Sequence, residues 1–331
     1  LWTDGSLPVL TCLLGAPIGS FAAFLADRLP RGEPVMFARS SCRGCGQVLR
    51  WWEMIPILSY VVLRGRCARC GDIIPPRLLQ AELAGLALGV LAVWADMGLI
   101  GAMALWCLLA LILADLVHYR LPNMLTGALL GLALIFATVS IAPVAPDMAS
   151  LWRAALGASV GAGVFYAISW IYQVLRGRAG MGAGDIRLMG GIGALVVPAS
   201  GWVGLAMVTL IAGLAGLALG LMRALRRGRA LNARTPVPFG ACLAMAAALI
   251  WVAANIQPGL FSTPYAPRLH DYTGDQKRGP RRAPFRSIDF ASYISSTPLV
   301  PPSGKTLSSS FRIHQAPRTA QRARLSRWST A

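Results

Sequence analysis

Residues 182–191 read GAGDIRLMGG. Two glycines precede Asp185, and a long apolar run follows it. A carboxylate at the mouth of an apolar segment, in backbone this flexible, is unusual enough to organise the rest of the chain. The apolar run continues to residue 199 and resumes from 201 to 222. Further apolar stretches read as helices at 8–26, 78–96, 99–117, 123–143, 154–175 and 236–255. The chain is 56% hydrophobic and only 13% charged, against about 25% charged in soluble domains. The pattern predicts an all-α polytopic membrane protein with about eight transmembrane helices, the sixth short for a full span. It argues against a globular enzyme on a single anchor. The first stretch has Asp4 as the only charge before it and an arginine-rich loop after it, which suits a first membrane helix over a cleaved leader.

The arginines set the expected topology. Segment 27–77 carries nine of them, among them Arg28, Arg43, Arg64 and Arg77. Arg120 follows, then Arg176, Arg178 and Arg187, then Arg223 to Arg234. The intervening connections, near 97–98, 144–153 and 200, carry only Arg153. By the positive-inside rule the arginine-rich loops face the cytoplasm and the N-terminus lies outside. The domains expected are a first helix (1–26), a cytoplasmic loop (27–77), a membrane core (78–256) and a basic Pro/Ser-rich tail (257–331). Within the tail, residues 264–331 hold 12 basic and 3 acidic residues and show no apolar period. They read as a disordered, solvated basic tail, with no nucleic acid expected as a partner; the lipid bilayer is the expected partner of the rest.

Acids are scarce in the core. Glu82 and Asp96 lie near the ends of the second helix, Asp115 at the end of the third, Asp185 before the sixth. The topology puts Asp115 and Asp185 at the same membrane boundary. A charge inside a membrane is costly, and intramembrane acids are functional by default. Two carboxylates close together at low dielectric share a proton. That arrangement lets one take a proton from water while the other polarises a carbonyl. Gly182 and Gly184 would let the chain unwind and a substrate backbone approach. Two plainer readings stay open: loop glycines with Asp185 capping the sixth helix, and Asp115 as a solvated partner of Arg120. His118 stands three residues after Asp115 and reads as a solvated boundary histidine; His270 and His314 are scattered.

The loop 27–77 holds CRGC (Cys42, Cys45) and CARC (Cys67, Cys70), 21 residues apart. Two such pairs close a tetrahedral zinc site, each knuckle supplying two thiolates. Disulfides are the alternative, disfavoured in a reducing cytoplasm. The expectation is a small zinc ribbon after the first helix. Cys12, Cys107 and Cys242 read as packing residues.

Five stretches in one order resemble the bacterial type IV prepilin peptidases, or leader peptidase/N-methyltransferases, a GxGD intramembrane aspartyl protease family. They are GAPIGSFAAFLADRLPRGE (15–33), WWEMIPILSYVVLRGRC (51–67) between the knuckles, ADLVHYRLPNMLT (114–126), GMGAGDIRL (180–188) and TPVPFGACLA (235–244). The resemblance implies that Asp115 and Asp185 are the catalytic pair. It implies cleavage of leaders from type IV prepilins or type II secretion pseudopilins at the cytoplasmic face of the bacterial inner membrane. In many members the same protein then methylates the new N-terminus with S-adenosylmethionine. The chain departs from the family pattern at Ala23, Pro75, Leu78-Leu79 and Arg187. The competing reading is a proton-coupled transporter that uses the aspartates as a relay, which would call for broken helices in two corresponding halves.

Overall fold

The computed structural model describes residues 6–33, 35, 40–139, 148–177, 180–226, 237–257 and 260–261. The expected tail at 264–331 lies outside the described residues, as do His270, His314, Arg178, Arg234 and positions 140–143 and 144–147. The described chain is helical: α1 (Ser6–Arg28), a short α2 (Leu58–Val62), α3 (Pro76–Trp94), α4 (Gly98–His118), α5 (Asn123–Val139), α6 (Met148–Arg176), α7 (Ala183–Arg226) and α8 (Phe239–Ile256). The described residues hold no β-strand longer than an isolated bridge. Six of the helices are long and apolar enough to cross a membrane; Asn123–Val139 is a shorter apolar helix.

The helix α7 is two spans in one. At 44 residues it would run about 66 Å if straight, twice the hydrocarbon core of a bilayer. It breaks at Gly201, whose φ of 65° and ψ of −165° belong to a region open essentially to glycine alone. The break falls where the two apolar runs were expected to part. Counting both halves, and α5 with them, gives the eight apolar segments read from the sequence. The first half is deeply enclosed, with every residue from Leu188 to Val197 buried.

Packing follows from small residues. In lipid, helices associate by close van der Waals fit, which small side chains permit. A Cβ at Gly85 would sit 2.3 Å from the Gly15 carbonyl oxygen, so α1 and α3 touch backbone to backbone there. The Gly85 carbonyl then takes a buried hydrogen bond from Trp106 Nε1 at 2.9 Å, tying α3 to α4. A Cβ at Gly193 would lie 2.1 Å from the Gly157 carbonyl oxygen, closing α6 on α7 in the same way. Leu105, Leu108, Leu111, Ile192, Leu195, Leu243 and Trp251 fill the centre between α4, α7 and α8. Trp170, Leu217 and Leu249 are exposed on the outside, as a lipid-facing surface requires. Three helix ends meet on one side of this core: the end of α4, the start of α7 and the start of α8.

Candidate active site

Asp115 occupies the last turn of α4, just before Tyr119 closes the helix in a left-handed conformation at φ 54°. It is 5% exposed. Its Oδ2 accepts the N–H of Ala241 at 2.7 Å. Ala241 lies in the first turn of α8, whose amides have no partner within their own helix. The carboxylate satisfies one of them, so Asp115 is neither solvated nor paired with Arg120 among the described residues. Asp185 is the third residue of α7 and half-buried. The Gly182 carbonyl accepts the N–H of Asp185 at 3.1 Å and of Ile186 at 3.4 Å. Gly182 therefore holds the cap position, and the Asp185 carboxylate, three residues on, accepts the Gly182 backbone N–H as the third residue of a capping box does.

The two carboxylates converge on Gly240. A Cβ there would meet Asp185 Oδ1 at 3.1 Å, Asp115 Oδ2 at 3.2 Å and Leu121 Cδ1 at 2.8 Å. Leu121 also packs on Gly184, where a Cβ would lie 3.0 Å from its own. The α4–α5 turn thus wedges between the glycine loop and the start of α8. Arg187 donates to Asn123 Oδ1 and fastens the same turn to α7. Sequence reasoning had noted the Pro-Phe-Gly stretch only as a likeness; nothing in its spacing said that Gly240 is the floor beneath both aspartates.

The ribbon has the expected form. Each knuckle closes by a Cys carbonyl accepting the N–H of the glycine four residues on: Gly46 on Cys42 at 2.9 Å, Gly71 on Cys67 at 3.0 Å. Both glycines are left-handed, at φ 70° and 73°. The four Sγ atoms lie within 4.8 Å of one another, and Cys42 and Cys70 are 3.7 Å apart. Tetrahedral zinc with Zn–S near 2.3 Å places its sulfurs about 3.8 Å apart, so the donor set fits that metal, whereas a disulfide needs about 2.05 Å. The N–H groups of Cys70 and then Arg69 hold the Cys67 thiol down to about 7, whereas Cys70, though its Asp72 N–H pulls it down, is carried up to about 12 by burial and the neighbouring thiols.

Between α1, the ribbon and the start of α3 lies a cavity of about 460 Å³. Asp27 at its rim is a charge hub. It pairs with Arg31 at 2.9 Å and with Arg43 of the ribbon, and has Arg77 of α3 at 4.0 Å. His118 Nε2 of α4 stands 3.8 Å from it, buried and without a hydrogen bond. The boundary histidine is therefore enclosed between two elements, contrary to the solvated position expected. Glu82, 5% exposed, lines the deep part of the cavity and accepts the N–H of Ile57 at 2.7 Å. Ile57 sits at φ 63° and ψ −52°, a strained conformation for a β-branched residue. Ala23, Pro75 and Leu78, three of the departures from the family pattern, all line this one cavity.

Fold and site together define a polytopic helical membrane protein with two facing carboxylates at converging helix ends and a four-thiol module ahead of them. Comparison with known proteins places it further. The model described as Bacterial Peptidase A24 N-terminal domain matches residues 13–95, and that of the Type IV leader peptidase family matches 102–221. A prepilin leader peptidase/N-methyltransferase of Burkholderia pseudomallei (strain 1026b) is 39% identical over 224 residues, 66% of this chain and 68% of that protein. Its namesake in Pseudomonas aeruginosa is 34% identical over 271 residues, 73% and 89% of the two chains. That of Pseudomonas putida is 31% identical over 280 residues, 75% and 93%. No solved structure matches. The chain belongs to the type IV leader peptidase family, and it is a membrane protease.

Proposed function

We propose that this protein cuts the leader from type IV prepilins or type II secretion pseudopilins, with Asp115 and Asp185 as the catalytic pair. The observation that carries this is their convergence on Gly240 from two helices. The shared proton leaves one carboxylate ionised and one protonated. The ionised one takes a proton from a water held between them, and the water oxygen attacks the scissile carbonyl. The protonated one hydrogen-bonds the carbonyl oxygen as it gains charge, and a proton then passes to the departing amine. Ala241 N–H fixes Asp115 for this work, and the Gly182–Gly184 loop leaves room for extended substrate backbone.

The ribbon holds structural zinc through Cys42, Cys45, Cys67 and Cys70. The chain sits in the bacterial inner membrane, with ribbon and aspartates at the cytoplasmic face. A second activity is supported by the names of the relatives, leader peptidase/N-methyltransferase. S-adenosylmethionine would supply an electrophilic methyl group for the newly freed amine. A transporter relay is not favoured by the family assignment.

The test is co-expression with a tagged prepilin, scored by gel shift and mass spectrometry. Asp115→Asn and Asp185→Asn, each checked for membrane insertion, should lose roughly 10²–10⁴-fold in cleavage. Variants that insert and cut like the wild type would make the aspartates structural. An added methyl mass on the product would report the second activity.

A further inference from the structure

Segment 51–62 runs between the two knuckles, through a 3₁₀ turn (Trp51–Met54) and α2, and belongs to no membrane-spanning helix. It nevertheless exposes six large apolar side chains: Trp51, Met54, Ile55, Leu58, Val61 and Val62. Trp51 is 76% exposed, Val61 63% and Val62 64%. On a spanning helix such exposure faces lipid, but on a connecting loop it marks a surface that something covers. Depth indicates what covers it. The Ile57 N–H donates to Glu82 Oε2 at 2.7 Å. Glu82 is the seventh residue of α3, a candidate span that opens with Pro76 and Arg77. It therefore lies about 9 Å along the axis from the start of that helix. The headgroup layer on each side of a bilayer is only about 5–8 Å thick. The bond to Glu82 thus draws the segment down to the level where headgroups give way to acyl chains.

Charge points to the same partner. Arg64, Arg66 and Arg69 follow the apolar run, all exposed and without a carboxylate partner among the described residues. Glu53, the one acid in the segment, is already occupied by the Arg50 N–H at 2.6 Å. An apolar strip that carries tryptophan and is bordered by arginines complements a bilayer surface with anionic headgroups. A second copy of this chain would set arginines against arginines across a two-fold interface. We propose that segment 51–62 docks on the leaflet around α1 and α3. Its apolar side chains enter the acyl boundary, and Arg64, Arg66 and Arg69 meet lipid phosphates. The ribbon is then held at the membrane by this strip as well as by the two helices that flank it. The docking stands whether or not the aspartates cut a leader.

The experiment places an environment-sensitive fluorescent amino acid at Val61 of the full chain by nonsense suppression, with Gln47, exposed in the first knuckle, as the water-side control. Leu58 is read as a second probe, so that a misfolded Val61 variant does not decide the result. Each protein is reconstituted in phosphatidylcholine vesicles with and without phosphatidylglycerol. Quenching is compared between doxyl-labelled lipid and aqueous iodide. The expected result is strong quenching by doxyl lipid and little by iodide at positions 61 and 58, with the reverse at 47. Phosphatidylglycerol should increase the doxyl quenching. Each arginine near an anionic surface favours the docked state about fivefold. Arg64→Gln, Arg66→Gln and Arg69→Gln together should therefore return the signal to its level in phosphatidylcholine alone. Quenching by iodide at positions 61 and 58 in both lipids overturns the proposal. So does shielding from both quenchers, which would mean that protein, not lipid, covers the strip. Doxyl quenching that ignores both phosphatidylglycerol and the three substitutions overturns the role given to the arginines.

Discussion

At the scale of single residues, Gly240 states the demand of the site most sharply. An alanine in place of a glycine inside a helix ordinarily gains about 1 kcal/mol of helix propensity. Here the added Cβ would lie 2.8 Å from Leu121 Cδ1 and near 3.1 and 3.2 Å from the two aspartate oxygens. Leu121 is itself pinned against Gly184, so the strain falls on the carboxylates. Displacing catalytic groups by about 1 Å can cost about 10²-fold in rate. Gly240→Ala is therefore expected to cut prepilin about 10²-fold more slowly, with a melting temperature in nanodiscs no lower than that of the wild type. Cleavage at the wild-type rate would mean that the pair tolerates a wider gap than the geometry allows. The two proposed catalytic aspartates stand out in the sequence because acids are so scarce in apolar helices. Their neighbour was not: residues 115, 185 and 240 lie far apart in the chain, and no periodicity links them. His118 reads as solvated for the same reason, whereas its buried Nε2 lies 3.8 Å from Asp27, a residue distant in the chain.

At the scale of elements, two devices were visible in advance and one was not. The knuckles were legible because CxxC followed by glycine is a local geometry, complete within five residues. The break in α7 was legible to within one residue, because the apolar run pauses at Ser200 and the kink falls at Gly201. The Gly201 backbone lies in a region essentially closed to residues with a Cβ, so Gly201→Ala should cost about 1–3 kcal/mol. Reversible unfolding in mixed micelles would measure that cost, and an unchanged midpoint would show that the two halves of α7 can join without a break. The ribbon makes a complementary prediction. Between its knuckles the described chain has only a 3₁₀ turn (Trp51–Met54) and the five-residue α2, with no substantial core of its own, and small modules of that kind depend on their metal. Purified protein should carry one zinc per chain by elemental analysis. Chelation, or Cys42→Ser with Cys67→Ser, should open residues 40–75 to limited proteolysis while the membrane helices stay protected. Protease resistance of the metal-free ribbon would show that Asp27–Arg43 and Glu82–Ile57 hold it without zinc. The cavity was the element hidden from the sequence, because its walls come from α1, both knuckles, α2 and α3, brought together only by folding.

At the scale of the whole molecule, sidedness ties these parts into one machine. The ends of α1 and α4 and the starts of α3, α7 and α8 carry Asp27, Asp115, Arg77, Asp185 and Gly240. Alternating spans place all five ends on one face, provided that the break at Gly201 makes α7 cross twice. Joining α7 into one crossing would put the start of α8 on the far side from Asp115, which the 2.7 Å bond from Ala241 to Asp115 excludes. On the proposed topology the arginine count gives the same face a cytoplasmic address, where a basic loop proposed to carry zinc would stay reduced. The opposite face shows its turns at Asp96, at the start of α6 and at Gly201. Impermeant maleimide applied to intact cells should therefore label Asp96→Cys and Met148→Cys, both exposed positions. Arg64→Cys and Arg120→Cys should be labelled only after permeabilisation, with the wild type run alongside to account for its own cysteines. The reverse pattern would turn the molecule over. It would place cleavage outside the cell and leave the four thiols where disulfides form. A mixed pattern, with Met148→Cys sheltered and Asp96→Cys labelled, would mean that α5, only 17 residues long, fails to span. Asp115 and Asp185 would then lie on opposite sides, in conflict with their meeting at Gly240, so this labelling tests the site as well as the topology.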